Sequence, residues 1–256
     1  MADSVQPHIR IGAADSARYA ILPGDPQRVD VVARFLEQPK ELMYNREFRT
    51  VSGMYKGVRV LVTSTGIGGP SLGIAVEELK KIGVETMIRI GSCGALQRGL
   101  LPGDLVIASG AVRDDGTSTT YIEKSYPAIP DHRLLMYLNQ TAKRLNIRHQ
   151  CGRVRSHDSF YTDREEQIDR YWSDKGILAA DMETAALFVI GGLKGLKVAS
   201  ILNVVVEADG DLETGINEYV DASAACKQGE EREILVALET IVSVHNEATT
   251  CEEAVK

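Results

Sequence analysis

The sequence predicts an α/β protein in which helices cover both faces of a central β-sheet. Short β-rich segments alternate with helical patterns along the chain, and several of them end in glycine-rich turns. A near-continuous apolar segment at 198–206 is typical of a central strand buried on both faces. The chain has no low-complexity linker, internal repeat or break in composition, so we expect a single domain over residues 1–256.

Hydrophobic periodicity and turn residues place the individual elements. Strands are predicted at 19–22, 58–63, 86–90, 105–112, 176–180 and 198–206. Helices are predicted at 28–38, 71–82, 132–145, 164–172, 182–190 and 229–246. Glycine turns follow Leu22, Thr65 and Ile90, and ligands of open α/β folds collect beyond the carboxyl ends of strands. We therefore expect the binding site at these three turns.

Composition and charge exclude several classes of function. The 256 residues include 29 Lys and Arg against 36 Asp and Glu, and this net charge of -7 is opposite to the basic excess of nonspecific nucleic-acid binders. The four cysteines form no Cys-x-x-Cys unit, which argues against a zinc ribbon or a dithiol redox centre. Residues 1–10 contain no signal-peptide core, and no apolar segment approaches the length of a membrane span. We expect a cytoplasmic protein.

The motifs of common cofactor sites are missing from the sequence. The glycines of 66–69 do not match the G-x-G-x-x-G pattern, and the chain contains no Walker motif. The five histidines are scattered and form no H-E-x-x-H unit, which argues against a catalytic metal. We therefore exclude nicotinamide and ATP as cofactors.

Two arginines lie where an anion would bind. Gly24 and Arg28 belong to a Gly-Asp-Pro-x-Arg segment that follows a strand and opens a helix, where backbone N–H groups bind anions; the alternative is a tight turn with a solvated arginine. Arg89 ends an apolar strand just before glycines and the hydroxyl donor Ser92. Burying Arg89 is costly unless it meets an anion or a carboxylate, so a structural salt bridge is its alternative.

A third candidate is the acidic segment Asp181-Met182-Glu183, which begins a helix after an apolar strand. A carboxylate there can accept two hydrogen bonds from a vicinal diol such as ribose. It can equally cap the helix, because acidic residues favour first turns.

Taken together, six ordered motifs carry a resemblance to a known family. They are Gly24-Asp25-Pro26-x-Arg28, Asn45-Arg46-Glu47-Phe48, Ser64-Thr65-Gly66-Ile67-Gly68, Arg89-Ile90-Gly91-Ser92-Cys93-Gly94, Phe160-Tyr161 and Asp181-Met182-Glu183. From about His8 to beyond Val206 the chain resembles the nucleoside phosphorylases, which include uridine phosphorylase and hexameric purine nucleoside phosphorylase. The resemblance implies a three-layer α/β/α sandwich with a central mixed, partly barrel-like sheet.

The resemblance also implies an activity and residue roles. The activity is reversible phosphorolysis of a nucleoside to free base and (deoxy)ribose 1-phosphate, with phosphate as co-substrate and no cofactor required. Phosphate would be held by Gly24, Arg28, Arg46, Arg89 and Ser92; ribose by His8, Met182 and Glu183; and the base by Phe160, Cys93 and Gly94. Glu47, Ile67 and Ser71 match positions that bind a monovalent cation such as K+ in some relatives. His8 and Arg46 would come from a neighbouring subunit, which makes a dimer the minimal active unit and a hexamer the expected assembly.

The segments that would bind the base depart from the sequences of both subfamilies. Val206 stands where the purine enzymes place a catalytic Asp, and Glu207 follows it directly as a substitute acid. The Gln-x-Arg unit with which uridine phosphorylases bind uracil is absent, which leaves Arg164 and Gln167 as candidates. We expect uridine as substrate because an apolar residue replaces the acid, with a purine nucleoside as the alternative. A nucleosidase that uses water, or a non-catalytic nucleoside-binding protein, is the alternative outside the phosphorylases.

Overall fold

The alternation of side chains along the first strand fixes the layers of the fold. The computed structural model describes residues 5–210 and 224–254, with side chains of the last helix up to Thr250. In β1 (Tyr19–Leu22), every residue is buried: Ala20 and Leu22 face one side of the sheet, and Tyr19 and Ile21 face the other. A strand with two buried faces needs a helical layer on each side.

Nine strands form one sheet within residues 5–210 and 224–254. The remaining eight are β2 (Glu37–Asn45), β3 (Phe48–Tyr55), β4 (Val58–Thr63), β5 (Thr86–Ala95), β6 (Leu105–Asp114), β7 (His149–His157), β8 (Ala179–Asp181) and β9 (Lys197–Val206). Their order is β2-β3-β4-β1-β5-β8-β7-β6-β9, and β9 also pairs with β5. This last pairing closes five strands into a barrel, while β2, β3, β4 and β1 extend from it as an open sheet. Parallel and antiparallel pairs both occur, so the prediction of a mixed, partly barrel-like sheet is confirmed.

Seven α-helices cover the two faces among the described residues. They are α1 (Pro26–Ala33), α2 (Gly69–Lys81), α3 (Gly116–Tyr121), α4 (His132–Arg144), α5 (Glu165–Ser173), α6 (Thr184–Leu193) and α7 (Ala224–Ala254). The apolar residues of α2 and α6 share one buried cluster with Leu22, and those of α1, α4 and α7 share a second with Ile21. The three-layer prediction is confirmed. Within the described part of the chain, no helix has the length and apolar character needed to cross a membrane.

Two sequence-based boundaries are wrong for a physical reason. The predicted helix 28–38 ends at Ala33, because the chain from Glu37 turns back as an antiparallel hairpin of β2 and β3. The predicted turn after Ile90 is instead the continuation of β5 to Ala95, because parallel pairing with β9 extends along this whole segment, with one irregularity between Cys93 and Gly94. The single-domain organisation over 1–256 stays a prediction.

Candidate active site

Arg89 lies at the centre of a buried cluster of charges. Its side chain is only 4% exposed, its Nε lies 3.3 Å from an oxygen of Asp181, and its Nη2 forms an ion pair with Glu183. Its Nη1 is also buried and has no hydrogen-bond partner among the described residues. A buried N–H group without an acceptor is costly, and a guanidinium is well suited to a tetrahedral oxyanion. Two nitrogens of Arg89 are therefore ion-paired, as the salt-bridge interpretation expects, and the third is a buried donor without a partner among the described residues; an anion at this donor stays a prediction.

Glycines around Arg89 leave room for its side chain. A Cβ on Gly91 would lie 2.6 Å from Nη2 of Arg89, so the guanidinium folds over a position where only glycine fits. A Cβ on Gly24 would lie 3.2 Å from the carbonyl oxygen of Gly66 and 4.0 Å from Nη1 of Arg89. The amide of Gly66 donates to the carbonyl of Gly24 at 2.9 Å, which ties the turn after β1 to the turn after β4. The three predicted turns thus meet at Arg89.

Glu183 and Asp181 accept hydrogen bonds from different backbone amides. Glu183 accepts a 2.6 Å hydrogen bond from the amide of Gly68 in addition to its ion pair with Arg89. Burial raises the pKa of Glu183, and the charge of Arg89 opposes that rise. Asp181 accepts from the amide of Thr184 at 3.0 Å and from the hydroxyl of Ser156 at 2.5 Å. Asp181 therefore supplies an acceptor to the first amide of α6, while the side chain of Glu183, the residue before that helix, contacts Arg89 and the Gly68 amide.

Arg28 is buried next to the last helix. Its Nε lies 3.2 Å from Glu230, and its Nη1 lies 3.4 Å from Glu233 and 3.5 Å from the carbonyl oxygen of Ile90. Asp25 caps helix α1 by accepting from Gln27 at 2.8 Å, which starts the helix that carries Arg28 toward β5. Arg28 and Arg89 therefore reach the same stretch of β5 from two sides of the sheet. We call these two residues the arginine pair.

A cavity of about 800 Å³ lies at the carboxyl end of β5, where Gly94 lines it; we call it the strand-end cavity. The three residue steps from Gly91 to Gly94 cover about 10 Å. Phe160, Val206 and Glu207 also line the cavity, and the predicted roles of Phe160 and Glu207 toward the base stay predictions. This volume lies in the range of small-molecule sites.

The remaining residues predicted to bind the base do not line the strand-end cavity. Arg164 and Gln167 are exposed and are absent from the cavity lining, because the opposite face of α5 faces the cavity with Glu165 and Asp169. Cys93 is buried, and burial raises the pKa of its thiol well above the ordinary value. Ser92, on β5, and Met182, next to Glu183 in the sequence, are both partly buried.

Two predicted residues lie away from this cavity within one chain. The ring of His8 lies 2.7 Å from Glu78 and lines a separate cavity of about 610 Å³ beside α2. Arg46 is exposed at the turn between β2 and β3, where its φ is 55°. The structure therefore does not bring His8 into the strand-end cavity of the same protomer.

Two of the three residues predicted to bind a cation are in contact. The hydroxyl of Ser71 donates to Glu47 at 2.8 Å, and the pKa of Glu47 is lowered by its own backbone amide and by that hydroxyl. The side chain of Ile67 is 79% exposed beside them. Among the described residues, no group of three or more His, Cys, Asp or Glu could hold a metal ion.

Comparison with known proteins decides the family. A family model described as the Phosphorylase superfamily matches residues 18–240. The chain belongs to this superfamily. It is 38% identical to a guanosine phosphorylase from Halorubrum lacusprofundi, over 93% of the chain and 99% of that protein. It is 39% identical to a uridine phosphorylase from Thermococcus kodakarensis, over 79% of the chain and 77% of that protein.

Solved structures show the same fold. A uridine phosphorylase from Vibrio fischeri has a TM-score of 0.89 and 44% identity, covering 95% of this chain and 99% of that one. A purine nucleoside phosphorylase from Toxoplasma gondii, in complex with immucillin-H, has a TM-score of 0.86 and 28% identity, covering 95% and 97%. The resemblance seen in the six sequence motifs is confirmed at the level of the family.

Sequence reasoning missed several residues of the site. Gly68 and Gly91 belong to quoted motifs, but their contacts with Glu183 and Arg89 depend on tertiary geometry. Glu230 and Glu233 lie about 200 residues from Arg28 in the sequence, on a helix whose pattern indicates only amphipathicity. No local signal could have linked them to Arg28.

Proposed function

We propose that the chain is a nucleoside phosphorylase that converts a nucleoside and phosphate to free base and ribose 1-phosphate. The observation that carries this proposal is the arginine pair, with an Nη1 on Arg89 that is buried and has no partner among the described residues, on the strand whose carboxyl end lines the strand-end cavity. A phosphate oxygen forms a bond to C1′ of the sugar, and the C1′–N bond to the base breaks with its electron pair moving to the base. The base then takes up a proton.

The charges of the site suit each part of this reaction. Arg28 and Arg89, together with Gly24 and Ser92, hold phosphate and direct it at C1′, which is a positioning and electrostatic contribution. Glu183 accepts from the ribose hydroxyls, and Met182 packs against the sugar. Phe160 with Cys93 and Gly94 borders the base, and Glu207 is the acid closest in sequence to the end of β9.

Uridine is the first candidate substrate. The apolar end of β9 at Val205 and Val206 provides no acid for a purine nitrogen. Relatives named uridine phosphorylase support this choice, among them the Thermococcus enzyme at 39% identity.

Guanosine is the second candidate, and the lining of the strand-end cavity favours it. Glu165, Asp169 and Glu207 place carboxylates there, and one buried oxygen of Glu165 has no hydrogen-bond partner among the described residues. Carboxylates accept from N–H groups. Guanine offers adjacent donors on N1 and N2, whereas uracil offers one N–H between two carbonyl oxygens. The relative from Halorubrum is named guanosine phosphorylase.

A substrate panel tests the proposed function. Uridine, thymidine, inosine, guanosine and adenosine are each incubated with and without phosphate, and base release is followed by chromatography. We expect release of one base class only when phosphate is present. Release without phosphate would show a nucleosidase, and no release from any nucleoside would favour a non-catalytic binding protein.

We further propose a homo-oligomer in which His8 and Arg46 complete the site of a neighbouring subunit. A dimer is the minimal unit and a hexamer the expected assembly. The exposure of Arg46, and the distance of His8 from the strand-end cavity implied by its separate cavity, support this arrangement. The test mixes inactive Arg46→Ala and Glu183→Ala subunits and measures recovered activity. No recovery after verified subunit exchange would exclude a shared site.

Two finer properties belong to the same proposal. Glu47 and Ser71, with the backbone of Ile67, supply oxygen ligands for a monovalent cation such as K+ between subunits. Stabilisation by KCl but not by tetramethylammonium chloride, lost in Glu47→Ala, tests this site. We also propose a cytoplasmic location, which the free thiols of Cys93, Cys151 and Cys226 support. Fractionation of the host cell tests it.

A further inference from the structure

Two carboxylates of the last helix converge on one arginine of the arginine pair. Glu230 lies 3.2 Å from Nε of Arg28, and Glu233 lies 3.4 Å from its Nη1. The two acids are three residues apart in α7, so they lie on the same face of that helix. They therefore contact the guanidinium of Arg28 along two of its edges.

Glu233 also contacts the strand that carries Arg89. Its side chain is fully buried, and its second oxygen accepts a 3.1 Å hydrogen bond from the amide of Gly91. Gly91 is the position over which the guanidinium of Arg89 folds. One carboxylate thus bridges helix α1, strand β5 and helix α7: it contacts Arg28 directly and accepts from the amide of Gly91, beside which Arg89 folds.

Burial of this carboxylate needs compensation. Burial raises the pKa of Glu233 to about 8, the charge of Glu230 adds to the rise, and Arg28, Arg89 and the Gly91 amide oppose it. The charge of Glu233 also contributes to the raised pKa of the buried Cys93 thiol. Loss of this one acid would leave the buried Arg28 with one fewer carboxylate partner, which is costly while the arginine remains, so the acid is not freely replaceable. Its position between two phosphate-site elements indicates a task in that site.

We propose that Glu233 is a positioning residue for phosphate binding, which holds Arg28 against Gly91 with the help of Glu230. The inference rests on the proposed function, because it assigns a task within the same phosphate site. Glu233 contacts no reacting atom; it acts through the orientation of Arg28. The C-terminal helix is thereby part of the phosphate site, although the sequence motifs of that site all lie before it.

A double-mutant cycle tests this inference through anion affinity rather than activity. Binding of inorganic phosphate is measured by calorimetry for wild type, Glu233→Gln, Arg28→Ala and the double variant. At pH 9, where the Glu233 carboxylate is ionised, we expect Glu233→Gln to weaken binding about 10-fold, the loss typical of a charge-assisted hydrogen bond, and to have no further effect once Arg28 is absent. The exposed Glu231→Gln on the same helix is the matched control and should bind phosphate like wild type.

Steady-state kinetics separate positioning from a structural role. Glu233→Gln should raise the KM for phosphate and leave the KM for the nucleoside within twofold of wild type. Equal phosphate binding by wild type and Glu233→Gln, or the same loss in both Arg28 backgrounds, would overturn the inference. Failure of wild type itself to bind phosphate would instead overturn the proposed function, so the two failures are distinguishable. If Glu233→Gln does not fold, the same cycle is run with Glu230→Gln, because Glu230 is partly exposed and contacts the same guanidinium.

Discussion

Replacing Arg89 by alanine tests how the buried charges are balanced. The substitution leaves Asp181 and Glu183 buried without their cation, while the amide of Gly68 still donates to Glu183. Removing one partner of a buried ion pair costs about 3–5 kcal/mol. At roughly 2 °C per kcal/mol for a chain of this size, the Tm should fall by about 6–10 °C.

The loss should depend on pH. Burial already raises the pKa of Glu183, and the charge of Arg89 opposes the rise. Without Arg89 the pKa of Glu183 rises further, so the unpaired carboxylate becomes a neutral acid as the pH falls. The deficit in stability should therefore be largest at alkaline pH and shrink as the pH is lowered toward the ordinary value of 4.5.

The assay is thermal unfolding of wild type and Arg89→Ala between pH 5 and pH 9, with and without phosphate. Arg133→Ala, which breaks an exposed pair with Glu247, is the control and should cost no more than about 1 kcal/mol. Phosphate should raise the Tm of wild type and of the control but not that of Arg89→Ala, because a ligand stabilises only the state that binds it. A Tm for Arg89→Ala within 2 °C of wild type at alkaline pH would refute this balance of charges.

Two glycine substitutions probe close contacts. Gly91→Ala places a Cβ 2.6 Å from Nη2 of Arg89 and should raise the KM for phosphate at least about 10-fold by displacing the guanidinium. Its control is Gly110→Ala, whose Cβ would meet nothing nearer than 3.4 Å. Equal KM values for Gly91→Ala and wild type would contradict the contact. Gly191→Ala places a Cβ 2.5 Å from Val198 and should cost about 1–3 kcal/mol in denaturant unfolding, with kcat unchanged in the folded fraction; full stability would show that α6 packs less closely on β9.

The sequence predicts the buried parallel strands well because their apolar patterns are continuous. The segment at 198–206 is a strand from Lys197 to Val206, as expected from burial on both faces. The hairpin of β2 and β3 is missed because β2 is largely exposed and carries polar residues, so its pairing with β3 leaves no periodic apolar signal.

In the candidate site, too, some residues can be predicted from the sequence and others cannot. Gly24 and Arg28 can be proposed from their places after β1, since ligands of α/β folds collect beyond the ends of strands, whereas Arg89 is singled out as an arginine within an apolar strand next to glycines. The carboxylates around them cannot be assigned in this way. Asp181 and Glu183 are two residues apart and share Arg89, but they accept from different backbone amides, and Glu233 reaches Arg28 only because α7 packs beside β5 at Gly91.

The central claim is that phosphate held by the arginine pair is the group that attacks the sugar. ³¹P nuclear magnetic resonance of wild type with phosphate and the nucleoside selected by the substrate panel tests it directly. We predict that a sugar 1-phosphate resonance grows in step with free base, and that neither forms with Arg89→Ala once its fold has been verified. Free base accompanied by unmodified sugar and an unchanged phosphate resonance would contradict the claim.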